Sequence, residues 1–323
     1  MSDVAIGIDV GGTKALALLV ARDGRVLGEI TTPTPHDDEL AAGEATTRVL
    51  ASQVETLCRS LHLEPASIPI GLGLPGMMRR DGHLAYAPNL QSASGADLGV
   101  QLSSLLGSSL VVVDNDANCA ALAEHEWGAA RGVRDFVMVT LGTGIGGGVF
   151  IENQLVRGQS GFAGEIGHMV IVAHGAACPC GGRGCWERYA SGGGLQRLGT
   201  EAAREGRLGE LVRAVGGAQN LRPEHLTESA REGSKEALQI LQEMGWWLAL
   251  GLSNLSAILD CGHFVIGGGL SSEADLYLPA TRDALAQLVE GYHARPTITV
   301  ATSLFGPRSG AMGATLVAFE RLA

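Results

Sequence analysis

The stretch VAIGIDVGGTKALALLVARDGRVLG, residues 4–28, has the pattern of three short strands joined by two tight turns. Its apolar runs flank Gly11-Gly12 and an Asp-Gly pair, and both pairs are typical of turns between antiparallel strands. A second stretch with this pattern, FVMVTLGTGIGGGVFIENQLVRG, occupies residues 136–158 and aligns Gly142 with Gly11. The chain therefore contains one β-meander twice, which predicts two related halves.

Strands and helices alternate around the two meanders. Residues 109–128 predict a buried strand that runs into a helix, and residues 238–259 predict a long amphipathic helix. This pattern predicts an α/β protein of two lobes with a ligand cleft between them. We expect a small N-terminal lobe at residues 1–117, to which a closing helix at 309–323 returns, and a large lobe at residues 118–308.

The length, charge and glycine content limit the class of protein. A chain of 323 residues is long enough for about two domains, and its 47 glycines are roughly double the average share, which indicates many tight turns or ligand loops. The 23 basic and 34 acidic side chains give a net charge of −11 without a long Lys or Arg run, so we expect neither nucleic acid nor membrane as a partner. The N-terminus shows no signal-peptide pattern, and no apolar run reaches about 18 residues, so we expect a cytoplasmic protein with reduced cysteines.

Three glycine-rich loops follow predicted strands: DVGGTK at 9–14, LGTGIGGG at 141–148 and VIGGGL at 265–270. A P-loop does not fit the first loop, because its Thr-Lys order is reversed and a strand follows it instead of a helix. Each loop taken alone fits either a turn with positive φ or a backbone that approaches phosphate. Three such loops together favour a polyphosphate ligand.

The candidate phosphate-binding groups include side chains as well as backbone. The carboxylate of Asp9 can orient Mg²⁺, directly or through water, and the hydroxyls of Thr13 and Thr143 can donate to phosphate oxygens. The complete set of candidates is Asp9, Gly11, Gly12, Thr13, Lys14, Thr143, Gly144, Gly268 and Gly269.

A cluster of polar residues, Asp114, Asn115, Asp116 and Asn118, ends a buried strand and opens a helix. Asp and Asn are favoured N-cap residues, so capping accounts for one of them. Four polar groups beside a core strand exceed what capping needs, and a carboxylate here can act as a general base. The sequence does not choose between Asp114 and Asp116, nor between a base and a cap.

The segment ACPCGGRGCWE places Cys178, Cys180 and Cys185 in a C-x-C-x4-C pattern with glycines between them. One histidine would complete a tetrahedral Cys₃His zinc site. A reactive thiol and a disulfide are the alternatives, and a disulfide is disfavoured in a reducing compartment. His168 and His174 both lie close upstream, so the spacing leaves the fourth ligand open.

Two carboxylates, Glu165 and Glu187, flank the cysteine pattern. On a loop tied by a closed, structural zinc site they would suit hydrogen bonding to sugar hydroxyls, although either can instead be a surface charge. The other cysteines, Cys58, Cys119 and Cys261, have apolar neighbours and are expected in the core.

The combination of DVGGTK, DNDANCAALAE, LGTGIGGG, GEIGH, CPCGGRGCWERYASG and VIGGGL resembles the ROK family (repressor, open reading frame, kinase), and within it the bacterial glucokinases. The resemblance runs essentially end to end. It implies a two-lobed, actin-like (ribonuclease H-like) hexokinase-type fold. It also implies ATP and Mg²⁺ as the phosphoryl source, a hexose acceptor, a structural zinc ion, and a homodimer or homotetramer.

The resemblance also implies roles for individual residues. Asp116 would be the catalytic base, and His168 would join the three cysteines at the zinc. The zinc would then serve the sugar site, with one ring nitrogen of His168 on the metal and the other toward a hydroxyl. The residues implied to bind the sugar are Gly76, Asn89, Asn115, Asp116, Glu165, His168 and Glu187.

The activity implied by the resemblance is transfer of phosphate from ATP to the 6-hydroxyl of a hexose, giving glucose 6-phosphate from glucose. The alternatives are a fructokinase and a kinase of N-acetylglucosamine or N-acetylmannosamine, which share the zinc segment. A sugar-responsive transcriptional repressor of the same family is the alternative from another class. It is disfavoured because such repressors carry an N-terminal helix-turn-helix, whereas eight residues precede Asp9 here.

Overall fold

The computed structural model describes residues 3–35, 42–87, 90, 93, 95–108 and 110–320, in which strands and helices alternate. The strands are β1 (Val4–Val10), β2 (Lys14–Ala21), β3 (Val26–Pro33), β4 (Ile70–Leu74), β5 (Met77–Met78), β6 (Leu84–Tyr86), β7 (Val111–Asn115), β8 (Phe136–Leu141), β9 (Ile145–Ile151), β10 (Gln154–Leu155), β11 (His263–Gly267) and β12 (Thr299–Thr302). The helices are α1 (Glu44–Ser60), α2 (Leu98–Leu106), α3 (Asp116–Glu126), α4 (Glu187–Ala190), α5 (Gly192–Arg204), α6 (Gly209–Ala214), α7 (Pro223–Arg231), α8 (Lys235–Leu259), α9 (Ala274–Leu288) and α10 (Ser309–Glu320).

Each meander continues into a sheet with the same strand order. The first sheet has the order β3-β2-β1-β4-β7 and the second the order β10-β9-β8-β11-β12. In the first sheet, β1 pairs antiparallel with β2 and parallel with β4. In the second sheet, β8 pairs parallel with β11, which pairs parallel with β12. The predicted duplication and the predicted α/β class are both confirmed.

The chain divides into two compact units. The first unit contains Met1–Arg134, Gly148–Gly164 and Ser303–Ala323, and the second contains Asp135–Gly147 and Glu165–Thr302. These bounds differ from the lobes expected at 1–117 and 118–308. Helix α3 lies with the first unit because α10, which closes that unit, packs along it.

Helix α10 packs directly on the first sheet, because glycines remove the side chains that would separate them. A Cβ at Gly7 of β1 would lie 2.0 Å from the carbonyl oxygen of Ala311, and one at Gly71 of β4 would lie 1.8 Å from that of Ala314. No residue with a side chain fits at such distances, so glycine is required there. All five residues of β4 are buried, as expected for a central strand covered on both faces.

A buried carboxylate, Glu124 of α3, fixes the chain that leads into α10. The side chain is fully buried and accepts hydrogen bonds from the Ser303 hydroxyl at 2.6 Å, the Leu304 amide at 3.0 Å and the Ser309 hydroxyl at 2.9 Å. A buried carboxylate is tolerated only when its oxygens are satisfied in this way. Glu124 therefore holds the entry to α10 against α3.

The second unit is built around α8, whose apolar spacing was predicted from the sequence. Leu241, Leu248 and Leu252 on its inner face are fully buried, and α8 packs against α9 and α7. Among the residues that the structure describes, no helix has both the length and the apolar character that a membrane span requires.

Candidate functional site

The turn between β7 and α3 carries the polar cluster expected from the sequence. The side-chain oxygen of Asn115 accepts hydrogen bonds from the amides of Ala117 and Asn118, at 2.9 and 3.0 Å, so Asn115 is the N-cap of α3. Asp116 is the first residue of the helix, and its partly exposed carboxylate accepts a hydrogen bond from the Ala117 amide at 2.8 Å. The capping role therefore belongs to Asn115 and does not explain Asp116.

Asp114, the other candidate base, is engaged on both carboxylate oxygens. Oδ2 accepts a hydrogen bond from the Arg157 guanidinium, and Oδ1 accepts from the Asn115 amide at 2.8 Å and from Nδ2 of Asn118 at 3.2 Å. Only 6% of Asp114 is exposed. A carboxylate held this firmly is poorly suited to collect a proton from a substrate, which leaves Asp116 as the better candidate.

A second carboxylate, Asp9 at the end of β1, interacts electrostatically with Asp116. Burial, and next the negative charge of Asp116, raise the pKa of the Asp9 carboxyl to about 7, while Lys14 lowers it. Carboxylates in a partly dehydrated pair are stabilised by a divalent cation, and oxygen ligands are those that Mg²⁺ prefers. The carboxylate of Asp9 therefore fits the oxygen-ligand chemistry of Mg²⁺.

The first glycine turn follows Asp9 directly. The Gly11 amide donates to the Lys14 carbonyl at 2.9 Å, and the Thr34 hydroxyl donates to the Gly11 carbonyl at 2.7 Å. Thr13 and Lys14 are exposed, and neither Gly11 nor Gly12 has a positive φ. The interpretation of this turn as one that needs left-handed backbone is therefore wrong.

The second glycine loop lies against the start of α5. The Gly192 amide donates to the Gly142 carbonyl at 2.8 Å, and the Ser191 hydroxyl donates to the Thr143 carbonyl at 2.9 Å. Gly142 has no positive φ, and a Cβ added to it would meet no atom within 4 Å. Neither the backbone conformation nor the packing of the protein requires a glycine at position 142. The space beside Gly142 is open and could hold part of a ligand.

Two of the three remaining candidate glycines, Gly144 and Gly268, have structural reasons of their own. A Cβ at Gly144 would lie 2.3 Å from Oε2 of Glu187, so this glycine makes room for that carboxylate. Gly268 has φ +79°, and a Cβ there would lie 2.6 Å from the Leu141 carbonyl oxygen. The turn interpretation is therefore confirmed for Gly268. Gly269 beside it has open space, with no atom within 4 Å of an added Cβ.

Four residues of the second unit form a cluster that could hold a metal ion: His168, Cys178, Cys180 and Cys185. Their ligand atoms all lie within 4.8 Å of one another, and the Sγ atoms of Cys180 and Cys185 are 3.7 Å apart. With Zn–S bonds near 2.3 Å, the edge of a tetrahedral site measures about 3.8 Å. The donor set and spacing fit zinc. Of the two candidate histidines, His168 and His174, it is His168 that belongs to this cluster, and its Nδ1 lies 4.0 Å from Sγ of Cys178.

Carboxylates border this cluster on two sides. Nε2 of His168, the nitrogen away from Cys178, lies 3.7 Å from Oε2 of Glu165, and Oε1 of Glu187 lies 3.0 Å from Sγ of Cys178. Burial raises the pKa of the Glu165 carboxyl, the nearby His168 lowers it, and the charge of Glu187 raises it. Both glutamates therefore lie directly beside the cluster.

Trp186 anchors the loop that carries Glu187. Its ring is fully buried against Gly251 of α8, and its Nε1 donates to the Trp247 carbonyl at 2.8 Å.

The six cysteines form no disulfide, and Cys58, Cys119 and Cys261 are buried, as expected for core residues. The disulfide alternative for the cysteine segment is therefore wrong.

Gly76 and Asn89 are the other two residues that the resemblance implies as sugar ligands. Gly76 has φ +112°, and its carbonyl accepts a hydrogen bond from Nδ2 of Asn115 at 3.1 Å, which joins the β5–β6 hairpin to the start of α3. Asn89 lies outside the described residues.

Two charged residues at this site were not singled out from the sequence. Arg157 follows the short strand β10 and contacts Asp114, and Glu124 holds the entry to α10. The only local signal is a charged residue in an otherwise apolar or glycine-rich segment, as in LVRG and ALAEHE. Neither segment reveals its partner, because the partners are distant in the sequence.

Comparison with known proteins identifies relatives over the whole chain. The family model described as the ROK family matches residues 5–321. The chain is 35% identical over 321 residues to a glucokinase of Streptomyces coelicolor, with 98% of each chain covered. It is 32% identical over 315 residues to an N-acetylmannosamine kinase of Citrobacter koseri, with 97% of this chain and 98% of the relative covered.

A crystal structure of similar fold carries ligands. The ROK family glucokinase from Streptomyces griseus, in complex with glucose and AMPPNP, has a TM-score of 0.87 and 33% sequence identity to this chain, and the match covers 98% of this chain and 99% of that one. The predicted actin-like sugar-kinase fold class is therefore confirmed.

Proposed function

The chain belongs to the ROK family, and from this premise we propose that it phosphorylates the 6-hydroxyl of a hexose with ATP, with glucose as the preferred acceptor. The observation that carries the proposal is the turn at the start of α3. Asn115 caps the helix and Arg157 holds the buried Asp114, whereas Asp116 is partly exposed at the start of the helix and is the better placed carboxylate to serve as base. The similarity to a glucokinase complex with glucose and AMPPNP supports the choice of both substrates.

In this proposal Asp116 accepts the proton of the 6-hydroxyl as that oxygen attacks the γ-phosphorus in line. Positioning and charge stabilisation supply most of the acceleration of such phosphoryl transfers, because the transition state is loose. Mg²⁺, when bound, neutralises charge on the phosphates, and Asp9 is the residue proposed to orient it. The phosphates are proposed to bind to backbone and side-chain groups of the three glycine loops, at Gly11, Gly12, Thr13, Lys14, Thr143, Gly144, Gly268 and Gly269.

The hexose is proposed to bind through Asn115, Asp116, Glu165, His168 and Glu187, with Gly76 and Asn89 as further contacts. The relatives support two acceptors, since a glucokinase and an N-acetylmannosamine kinase are similarly identical to this chain. Steady-state phosphorylation of glucose, N-acetylmannosamine, N-acetylglucosamine and fructose, compared as kcat/KM, separates them. We expect the highest value for glucose, and a protein that phosphorylates none of the four contradicts the proposal.

The expected homo-oligomer and the cytoplasmic location stay predictions. Sedimentation of the purified protein tests the first, with a dimer or tetramer as the expected species.

The phosphate proposal predicts that Gly142→Val raises the KM for ATP by roughly tenfold, a loss of about 1.4 kcal/mol of binding. An added Cβ at Gly142 meets no protein atom within 4 Å, so we expect the valine side chain to extend into the space proposed for the phosphates. Steady-state kinetics at saturating glucose measure the effect, and the KM for glucose should change little. Gly144 is a poorer probe, because a side chain there would displace Glu187 as well.

Gly209→Ala is the control for the Gly142 variant, since an added Cβ there would approach only Arg213, at 3.8 Å. It should leave both Michaelis constants unchanged. An unaltered ATP dependence in a folded Gly142→Val protein would mean that this loop does not approach the phosphates.

The metal proposal predicts about one zinc per chain in a closed, structural Cys₃His site. Cys180→Ser should lower the zinc content and weaken glucose binding by roughly tenfold or more, because the loop between Glu165 and Glu187 loses its anchor. Binding of a nonhydrolysable ATP analogue should change much less. Metal analysis and calorimetric titration measure these three quantities, and Cys58→Ala, a buried cysteine of α1, is the control that should keep its zinc. Normal glucose affinity in zinc-free protein would contradict the structural role.

A further inference from the structure

We propose that Arg157 is a positioning residue for the phosphoryl transfer: through Asp114 it fixes the turn that presents Asp116, and through its own loop it ties that turn to the β5–β6 hairpin. The inference rests on the proposed function, because it assigns Arg157 to the same site. Arg157 acts through other residues and is not itself a substrate ligand.

The first step of the argument is the burial of the ion pair. The Asp114 side chain is 8% exposed and that of Arg157 is 33% exposed, and the guanidinium contacts Oδ2 directly. A buried carboxylate that loses its partner is strongly unfavourable, so Asp114 depends on Arg157 to stay in place. An arginine fits this role better than a lysine, because its planar guanidinium has a fixed geometry.

The second step leads from Asp114 to Asp116. The other oxygen of Asp114 accepts from the Asn115 amide at 2.8 Å and from the Asn118 side chain at 3.2 Å. Asn118 is itself 2% exposed and lies in the first turn of α3. With both oxygens engaged, the carboxylate is held in place, and it sets the orientation of the peptide between Asp114 and Asn115, one residue before Asp116.

The third step leads from Arg157 to the hairpin. Nε of Arg80 donates to the carbonyl of Gly158, the neighbour of Arg157, at 2.8 Å. Gly161, at φ +100°, is so close that an added Cβ would lie 2.5 Å from the Met78 carbonyl oxygen. The segment 157–161 therefore lies directly on the β5–β6 hairpin.

These contacts close a ring, because the carbonyl of Gly76 before β5 accepts from Nδ2 of Asn115 at 3.1 Å. The ring passes from Asp114 to Arg157, through Gly158 and Arg80 to the hairpin, and back through Gly76 to Asn115. Three segments far apart in sequence are thus fixed to one another at the proposed base. A misplacement of about 1 Å at such a site can cost roughly 10²-fold in rate.

The central test is Arg157→Met, which keeps the length of the side chain and removes the charge. We expect kcat to fall by roughly 10²-fold, the KM for the hexose to rise, and the KM for ATP to stay within about twofold. Arg48→Met is the matched control, because Arg48 pairs with Glu44 on an exposed face of α1 and its side chain is 64% exposed. It should leave every kinetic constant unchanged.

Positioning is separated from stability by a double variant and by chemical rescue. Asp114→Leu combined with Arg157→Met replaces the buried pair by apolar side chains, which restores stability in many proteins. We expect it to regain melting temperature but not kcat. A cavity of about 350 Å³ is lined by Asp114, Asn118 and Arg157, so guanidinium ion should enter and partly restore kcat in Arg157→Ala, whereas an equal concentration of NaCl should not.

The outcomes are distinguishable. A folded Arg157→Met protein with kcat within about twofold of wild type would overturn this inference alone. Recovery of both stability and kcat in the double variant would also overturn it, since the pair would then be structural only. If Arg157→Met fails to fold, Arg157→Lys carries the test, with kcat reduced by roughly tenfold as support and an unchanged kcat as refutation. A wild-type protein that phosphorylates no hexose would overturn the proposed function and this inference together.

Discussion

Asp116→Asn is expected to lower kcat by roughly 10²- to 10⁴-fold, the usual effect of losing a general base, with little change in folding or hexose affinity. The fold should be preserved because Asn115 is the N-cap of α3, and the amide oxygen of an asparagine at 116 can still accept from the Ala117 amide. The proton acceptor, however, is lost. Steady-state kinetics, thermal melting and calorimetric titration of glucose measure the three quantities.

The control for this variant is Glu126→Gln, which makes the same chemical change at the exposed far end of the same helix. It should retain full activity. A near wild-type kcat for Asp116→Asn would mean that another group takes the proton, and the mechanism proposed above would be wrong.

The fold was predictable because its deciding features are local. The apolar runs and glycine turns of each meander lie within about 25 consecutive residues, and their repetition is visible in the chain. The equivalent positions of the three meander strands in the two sheets follow from this repetition. The unit bounds were less predictable, because the placement of α3 depends on contacts with α10, nearly 200 residues away.

The choice between Asp114 and Asp116 shows where sequence reasoning ended. Both aspartates suit the composition of the turn, and in the structure Asp114 is buried against Arg157 whereas Asp116 is partly exposed. The partner of Asp114 is Arg157, which lies 43 residues away in the sequence, and Glu124 binds an amide that lies 180 residues away. Such pairings depend on tertiary packing, so they cannot be predicted from the spacing of residues within one segment.

The glycines illustrate the same limit. In the sequence, Gly142, Gly144 and Gly268 all belong to loops that follow strands. In the structure Gly268 serves a left-handed turn, Gly144 makes room for Glu187, and Gly142 has open space beside it. Only the last of these three situations points to a ligand, and the difference depends on which atoms surround each position.

The packing of α10 provides the largest expected effect on stability. Gly313 lies inside this helix, where glycine is about 1 kcal/mol less favourable than alanine. Considered as helix propensity alone, Gly313→Ala should therefore stabilise the protein. The structure predicts the opposite, because a Cβ at Gly313 would lie 1.6 Å from the carbonyl oxygen of Cys119 in α3, and backbone on both sides leaves no side chain to move aside.

We expect Gly313→Ala to lower the free energy of unfolding by about 3 kcal/mol or more, at the upper end of the usual cost of overpacking. Because α10 also rests on the glycines of β1 and β4, a shift of the helix away from α3 would strain the contacts at Gly7 and Gly71 as well. Calorimetric melting measures the loss, and Gly209→Ala, a helical position with open space, should be neutral or slightly stabilising. A Gly313→Ala protein as stable as wild type would show that α3 and α10 can separate without cost, and that the close approach of these two helices does not hold the first unit together.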